Sequence, residues 1–115
     1  MLDGISIPTL HAALNGLAER KTAISDDISN VNTPYFHARR VDFEDQLRSA
    51  VRNGQDPASV TPSTFYTTDP VGLTENNVDL TAETLLGVDT QLRYELVLRA
   101  TGDRFSILRS AAKGV

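Results

Sequence analysis

Apolar side chains at Leu10, Leu14, Leu17, Ile24, Ile28 and Val31 recur at spacings of four, three, seven, four and three. Lys21 fills the missing rung, so the stripe is a seven-residue repeat with one polar interruption. A stripe this narrow occupies one helix face and has the width of a coiled-coil seam. It predicts a helix over residues 6–31. Ser6 is suited to cap it, and Pro8 falls in the first turn, where a missing N–H costs nothing. Pro34 disfavours helical geometry at Thr33 and sets the stop near Asn32.

A shorter helix is expected over residues 42–53. Asp42 is placed to cap it, Asp45 sits in capping-box position, and Gly54 follows as terminator. Phe43, Leu47 and Val51 form its apolar face. Periodicity then dissolves: residues 54–77 hold three Pro, two Gly and seven Ser or Thr. Only residues 64–68 have strand composition. A loop this long is functional or mobile, and the composition favours mobility. A long helix is predicted over residues 79–112, capped by Asp79, with Glu83 in its first turn. Its apolar residues fall on two rows. Leu92, Leu96, Ala100 and Ile107 make one, and Tyr94, Leu98, Phe105, Leu108 and Ala112 the other. Gly102 is a weak point in this helix, or a place where another backbone comes close.

The fold class that follows is mainly α. Long N- and C-terminal helices pack as an antiparallel hairpin or coiled coil, with a short middle helix and an irregular loop with little β. The chain divides into an N-terminal helical segment (1–33), a middle segment (34–78) and a C-terminal helical segment (79–115). A two-helix hairpin has almost no interior to offset its folding entropy. The terminal helices therefore read as association elements, and the isolated chain is expected to be partly unfolded at both ends.

Composition narrows the function. A chain of 115 residues fits one domain, and 40% hydrophobic with 23% charged residues is ordinary for a soluble protein. With no Cys, thiolate metal sites, disulfides and cysteine nucleophiles are excluded. A net charge of −4 argues against nucleic-acid binding. The start of the chain lacks a basic region followed by an apolar run, and no stretch approaches the ~20 apolar residues of a membrane span. The expectation is a cytosolic protein, or one exported without a cleaved signal. Charge is also segregated. Six acids and no Lys or Arg lie between Asn53 and Leu92, and five bases against two acids follow from Arg93 to Lys113. That complements a helix macrodipole, or brings acidic and basic zones of neighbouring subunits together.

No active site is legible. His11 and His37 have no partners at ligand spacing, and Arg39 and Arg40 discourage a metal beside His37. Asp26-Asp27 and Asp42-x-Glu44-Asp45 read as solvated helix and cap carboxylates rather than acid–base pairs. Nucleophile-elbow, P-loop and dinucleotide motifs are absent. Neither enzyme activity nor a cofactor is expected.

Four blocks carry a resemblance. Ile28-Ser29-Asn30-Val31-Asn32-Thr33-Pro34 resembles the A-N-x-x-T-P-G-Y signature of bacterial flagellar rod and hook proteins. Ala38-Arg39-Arg40-Val41-Asp42-Phe43 is similar to the A-R-D-[IV]-D-F that follows it in the proximal rod proteins. Asn76-Asn77-Val78-Asp79-Leu80 with Glu83 resembles their G-N-x-V-D-[ML]-x-x-E, and Leu92-Arg93-Tyr94-Glu95 stands where they have L-x-Y-Q. Three departures stand out: Tyr35 replaces a Gly, Ser29 an Ala, and Arg40 an acidic residue.

The resemblance implies a structural subunit of the flagellar basal-body rod, exported unfolded by the flagellar type III apparatus. Its terminal helices would be disordered in the free subunit and pack with copies of itself and other rod subunits. The implied partners include the MS-ring protein and its rod adaptor. Phe43 and Leu47 resemble the element that such substrates present to the export gate. Leu10, Leu14, Leu17, Ile24, Ile28 and Val31, with Leu92, Leu96, Leu98, Phe105 and Leu108, are the expected subunit contacts. The alternatives are a cytosolic helical adaptor or export chaperone, and another axial rod subunit.

Overall fold

The computed structural model describes residues 6–114. Helix α1 spans Ile7–Ser29, strand β1 Arg39–Asp42, helix α2 Glu44–Arg52, strand β2 Ser63–Tyr66 and helix α3 Leu80–Ala112. A 3-10 turn at Pro57–Ser59 sits between α2 and β2. Ser6 caps α1, its side chain accepting from the Thr9 N–H, and Asp79 caps α3 by accepting from the Ala82 N–H. Both are the caps that sequence predicts.

Helices α1 and α3 form an antiparallel hairpin. Asp27 and Glu83 meet at Arg40, Ile24 lies beside Gly87, Lys21 lies over the Tyr94 ring, and Tyr94 and Val97 pack against the cluster that holds Leu17. Residue numbers rise on one helix as they fall on the other. Lys21, the polar rung of the stripe, is accommodated by a cation–π contact of 4.7 Å.

The middle segment departs from expectation in two places. Asp42 does not cap a helix; it ends β1, and α2 starts after Phe43 with no side-chain cap. Phe43 is instead pulled inward, and its burial fixes where the helix can begin. The sequence shows strand composition only at residues 64–68. A strand does form there, over Ser63–Tyr66, paired antiparallel with β1 so that Arg40 faces Phe65 and Val41 faces Thr64. A loop rich in Pro, Ser and Thr is thereby held against α1 by a partner that its own composition does not announce.

The hairpin also has more interior than two helices alone provide. Leu17, Phe43 and Leu47 form its core cluster, with Ala12, Ala13, Val60, Tyr94 and Val97 packed around them. The middle segment supplies the wedge between the helices.

Candidate functional site

The first three blocks that carry the family resemblance converge at one end of the hairpin, where the chain leaves α1 and enters α3. Asn30 ends α1, its side-chain amide donating to the Asp26 carbonyl at 2.8 Å, and Thr33 Oγ1 donates to Asn30 Oδ1 at 3.0 Å. Asn76 then donates to the carbonyls of Asn30 and Thr33 at 2.9 and 2.7 Å. Asn77 Oδ1 accepts the Ala38 N–H at 2.7 Å, while its amide donates to Thr67 Oγ1 at 2.8 Å. An amide side chain offers both donors and an acceptor, which is why Asn can join several backbone groups at once. The two asparagines clasp the exit of α1, the start of β1 and the loop before α3.

Tyr35 sits inside this turn with φ of 64°, and its N–H donates to the Thr74 carbonyl at 2.9 Å. A tyrosine therefore holds the left-handed conformation that the family's glycine adopts freely. Of the other motif residues, Val41 is buried, Val78 half-buried, and Asn32, Pro34, Asp42 and Asp79 are exposed.

Charge is arranged in two layers between the helices. In one, Arg20 donates to both oxygens of Glu44 at 2.6 Å, to the Val41 carbonyl, and lies 5.1 Å from the Phe43 ring centroid. The Arg20 guanidinium holds the Glu44 carboxyl below its ordinary range, and Glu44 in turn raises Arg20. In the other, Arg40 donates to Glu83 at 2.6 Å and to Asp27 at 3.4 Å. Burial pushes the Asp27 and Glu83 carboxyls up, with Arg40 opposing. Asp27 corrects the sequence reading. Asp26 is half-exposed and paired with Arg39 as a surface carboxylate should be, but Asp27 is 0% accessible. The signal was a second seven-residue row, Ala13, Arg20 and Asp27, each three positions beyond Leu10, Leu17 and Ile24.

The expected subunit contacts divide. Leu10, Leu17 and Ile24 are buried within this chain, so that half of the stripe closes the hairpin, whereas Leu14, Ile28 and Val31 are half-buried at its edge. On α3, Leu92, Leu96, Leu98, Phe105 and Leu108 are all exposed. Sequence reasoning missed Leu85 and Val88, which extend the Leu92–Leu96 row toward the helix start and are also exposed. Phe43 and Leu47 lie in the core. Among the described residues there is no cluster of His, Cys, Asp and Glu able to hold a metal ion, and no helix long and apolar enough to cross a membrane.

No protein-family model matches the chain. Curated relatives do. The flagellar basal body rod protein FlgB of Escherichia coli K12 is 29% identical over 108 residues, covering 76% of this chain and 78% of its own length. FlgB of Yersinia enterocolitica is 30% identical over 118 residues, covering 85% and 86%. FlgB of Cereibacter sphaeroides is 30% identical over 120 residues, covering 91% of this chain and 92% of the relative. At 30% identity over 85% and 91% of its length, the chain belongs to the FlgB family of flagellar basal body rod proteins.

Proposed function

We propose that this chain is a structural, non-catalytic subunit of the proximal rod that assembles through the faces its own hairpin leaves uncovered. One observation carries this reading. Helix α3 is apolar on two sides, and only one of them meets α1. Leu85, Val88, Leu92 and Leu96 line the outward side, and Phe105, Ile107 and Leu108 lie on the stretch that outruns α1; all seven are 49% to 66% accessible. That stretch exists because α3 has 33 residues and α1 has 23. Monomers seldom leave such rows open to water, and subunits packed side by side in a tube cover them.

The partners this reading assigns are further copies, other rod subunits, and the MS-ring protein with its adaptor. Export through the flagellar type III apparatus fits the burial of Phe43 and Leu47, which only an unfolded chain can present to a gate. An in-frame deletion viewed by electron microscopy tests the proposal. Rod, hook and filament are expected to be lost and restored in trans, with the chain itself present in purified basal bodies. A soluble chain absent from basal bodies overturns the subunit reading in favour of an adaptor or chaperone. Leu92→Asp is expected to abolish assembly while leaving the monomer fold intact, whereas Leu17→Asp unfolds the hairpin itself.

A further inference from the structure

Two carboxylates and one guanidinium meet where the three segments of the chain come together. Asp27 of α1 and Glu83 of α3 are both 0% accessible. Arg40 of β1 reaches both through the same nitrogen, which also donates to the Arg39 carbonyl at 2.9 Å. The Arg39 N–H donates to both Asp27 oxygens at 3.1 and 3.2 Å. Glu83 Oε2, in contrast, is buried with no hydrogen-bond partner. Fully ionised, the group holds one negative charge too many and leaves one buried oxygen unsatisfied, and each is costly out of water.

A single proton corrects both defects. It neutralises the surplus charge, and it turns one carboxyl into a donor toward the other. We propose that Asp27 and Glu83 share one proton when the hairpin is closed, so that closing α1 onto α3 takes up a proton and is weakened when that proton leaves. Burial, which raises both carboxyls above their ordinary values, acts in the same sense.

The further cation that acts on the group is Arg39, whose charge lowers Asp27 but is balanced by its pairing with Asp26. On α1, Asp26 faces Arg39 and holds it at 2.6 Å. On β1, Arg39 is thus engaged and Asp42 is exposed. Strand β2 carries only the exposed Tyr66 phenol. On α3, Asp79 caps the helix and Asp89 is paired with Arg93. Arg20 is committed to Glu44 in the next layer. His11 and His37 are exposed and make no bond to the group.

In the unfolded chain both carboxyls return to ordinary values and are ionised near neutrality, so the folded chain binds one proton more. The folded-to-unfolded ratio should therefore fall as pH rises above the ordinary Glu value of 4.5, and level off once the proton has left. The steepest fall is about tenfold per pH unit, the slope of one proton. This inference is independent of the flagellar reading.

The test is urea unfolding of the full chain from about pH 5 to pH 8, in wild type and Glu83→Gln. Glutamine keeps the shape, removes the titration and supplies a donor. The expected result is a wild-type midpoint that falls with pH and a Glu83→Gln midpoint that stays flat and is higher at the alkaline end. A flat or rising wild-type profile, or the same slope in Glu83→Gln, overturns the proposal. Carbon-13 titration of the wild-type carboxyls decides independently if the variant does not fold. A buried carboxyl titrating well above the ordinary range supports the shared proton, and two carboxyls titrating normally refute it.

Discussion

Phe43 lies so close to Gly16 that a Cβ built on the glycine would stand 2.5 Å from the ring. The ring occupies the space a side chain would need, and this contact seats the middle segment against α1.

Gly16→Ala is therefore expected to destabilise by about 1–3 kcal/mol, the usual range for overpacking a filled core. Gly102, also helical, has nothing within 4 Å of its Cβ position, so Gly102→Ala should stabilise the chain by about 1 kcal/mol. Urea midpoints moving in opposite directions are the expected outcome. Should the more stable Gly102→Ala chain fail to support motility, a neighbouring subunit packs against that glycine.

Removing the clasp exposes its cost. In Asn77→Ala the Ala38 N–H and Thr67 hydroxyl lose their partner, an expected loss of about 1–3 kcal/mol. Hydrogen exchange at the Ala38 amide gives a local readout. Protection unchanged from wild type would show that the bond contributes nothing.

Arg40 stands where the family resemblance places an acidic residue. In this chain an acid there would bring a third carboxylate beside Asp27 and Glu83, and Arg40→Asp is expected to prevent folding near neutral pH. Arg40→Met, which only removes the cation, should cost about 3 kcal/mol, the lower end for breaking a buried pair, because the arginine is 24% accessible. Combining Arg40→Met with Asp27→Asn and Glu83→Gln should recover most of that loss. A triple variant no more stable than Arg40→Met would mean that packing, and not charge, is what Arg40 provides.

Below the range of the shared proton, Glu44 dominates with the opposite sign. Arg20 lowers its carboxyl, so its contribution is present above the ordinary value of 4.5 and fades as pH falls through the lowered one. Glu44→Gln should be less stable than wild type near pH 5 and converge with it in stronger acid. Parallel curves for the two proteins down to the acid limit would exclude Glu44 as the source.

At Tyr35 the family's glycine should be an improvement. The side chain is 75% accessible, so Tyr35→Gly forfeits little packing and relieves the left-handed φ. A gain of about 0.5–1 kcal/mol is expected in thermal or urea unfolding. A loss would mean that the aromatic surface of Tyr35 holds the turn.

The helices and their caps were legible because they are local. Ser6, Asp79 and Gly54 act on residues a few positions away, and a seven-residue stripe needs no partner to be seen. The pairing of β1 with β2 was not legible, since Arg39-Arg40-Val41-Asp42 carries little strand propensity and forms only because Ser63–Tyr66 lies beside it. The direction of the stripe was half legible. Leu10, Leu17 and Ile24 share a helix face with Leu14, Lys21 and Ile28, and which side turns inward is settled only by where α3 and the middle segment pack. Asp27 escaped for a related reason: a buried acid cannot be told from a solvated one until its partner, thirteen positions on at Arg40, is placed.

The asparagine clasp also has a temporal consequence. Its bonds to the end of α1 and the start of β1 join positions separated by 39, 43 and 46 residues, so these cannot form until most of the chain is available. Loops of this size must close before any of these contacts rewards the closure. Before α3 is present, α1 can pack only against the middle segment, chiefly through Phe43 at Gly16. Delay is thus written into the topology: the hairpin takes its final shape only when α3 joins it.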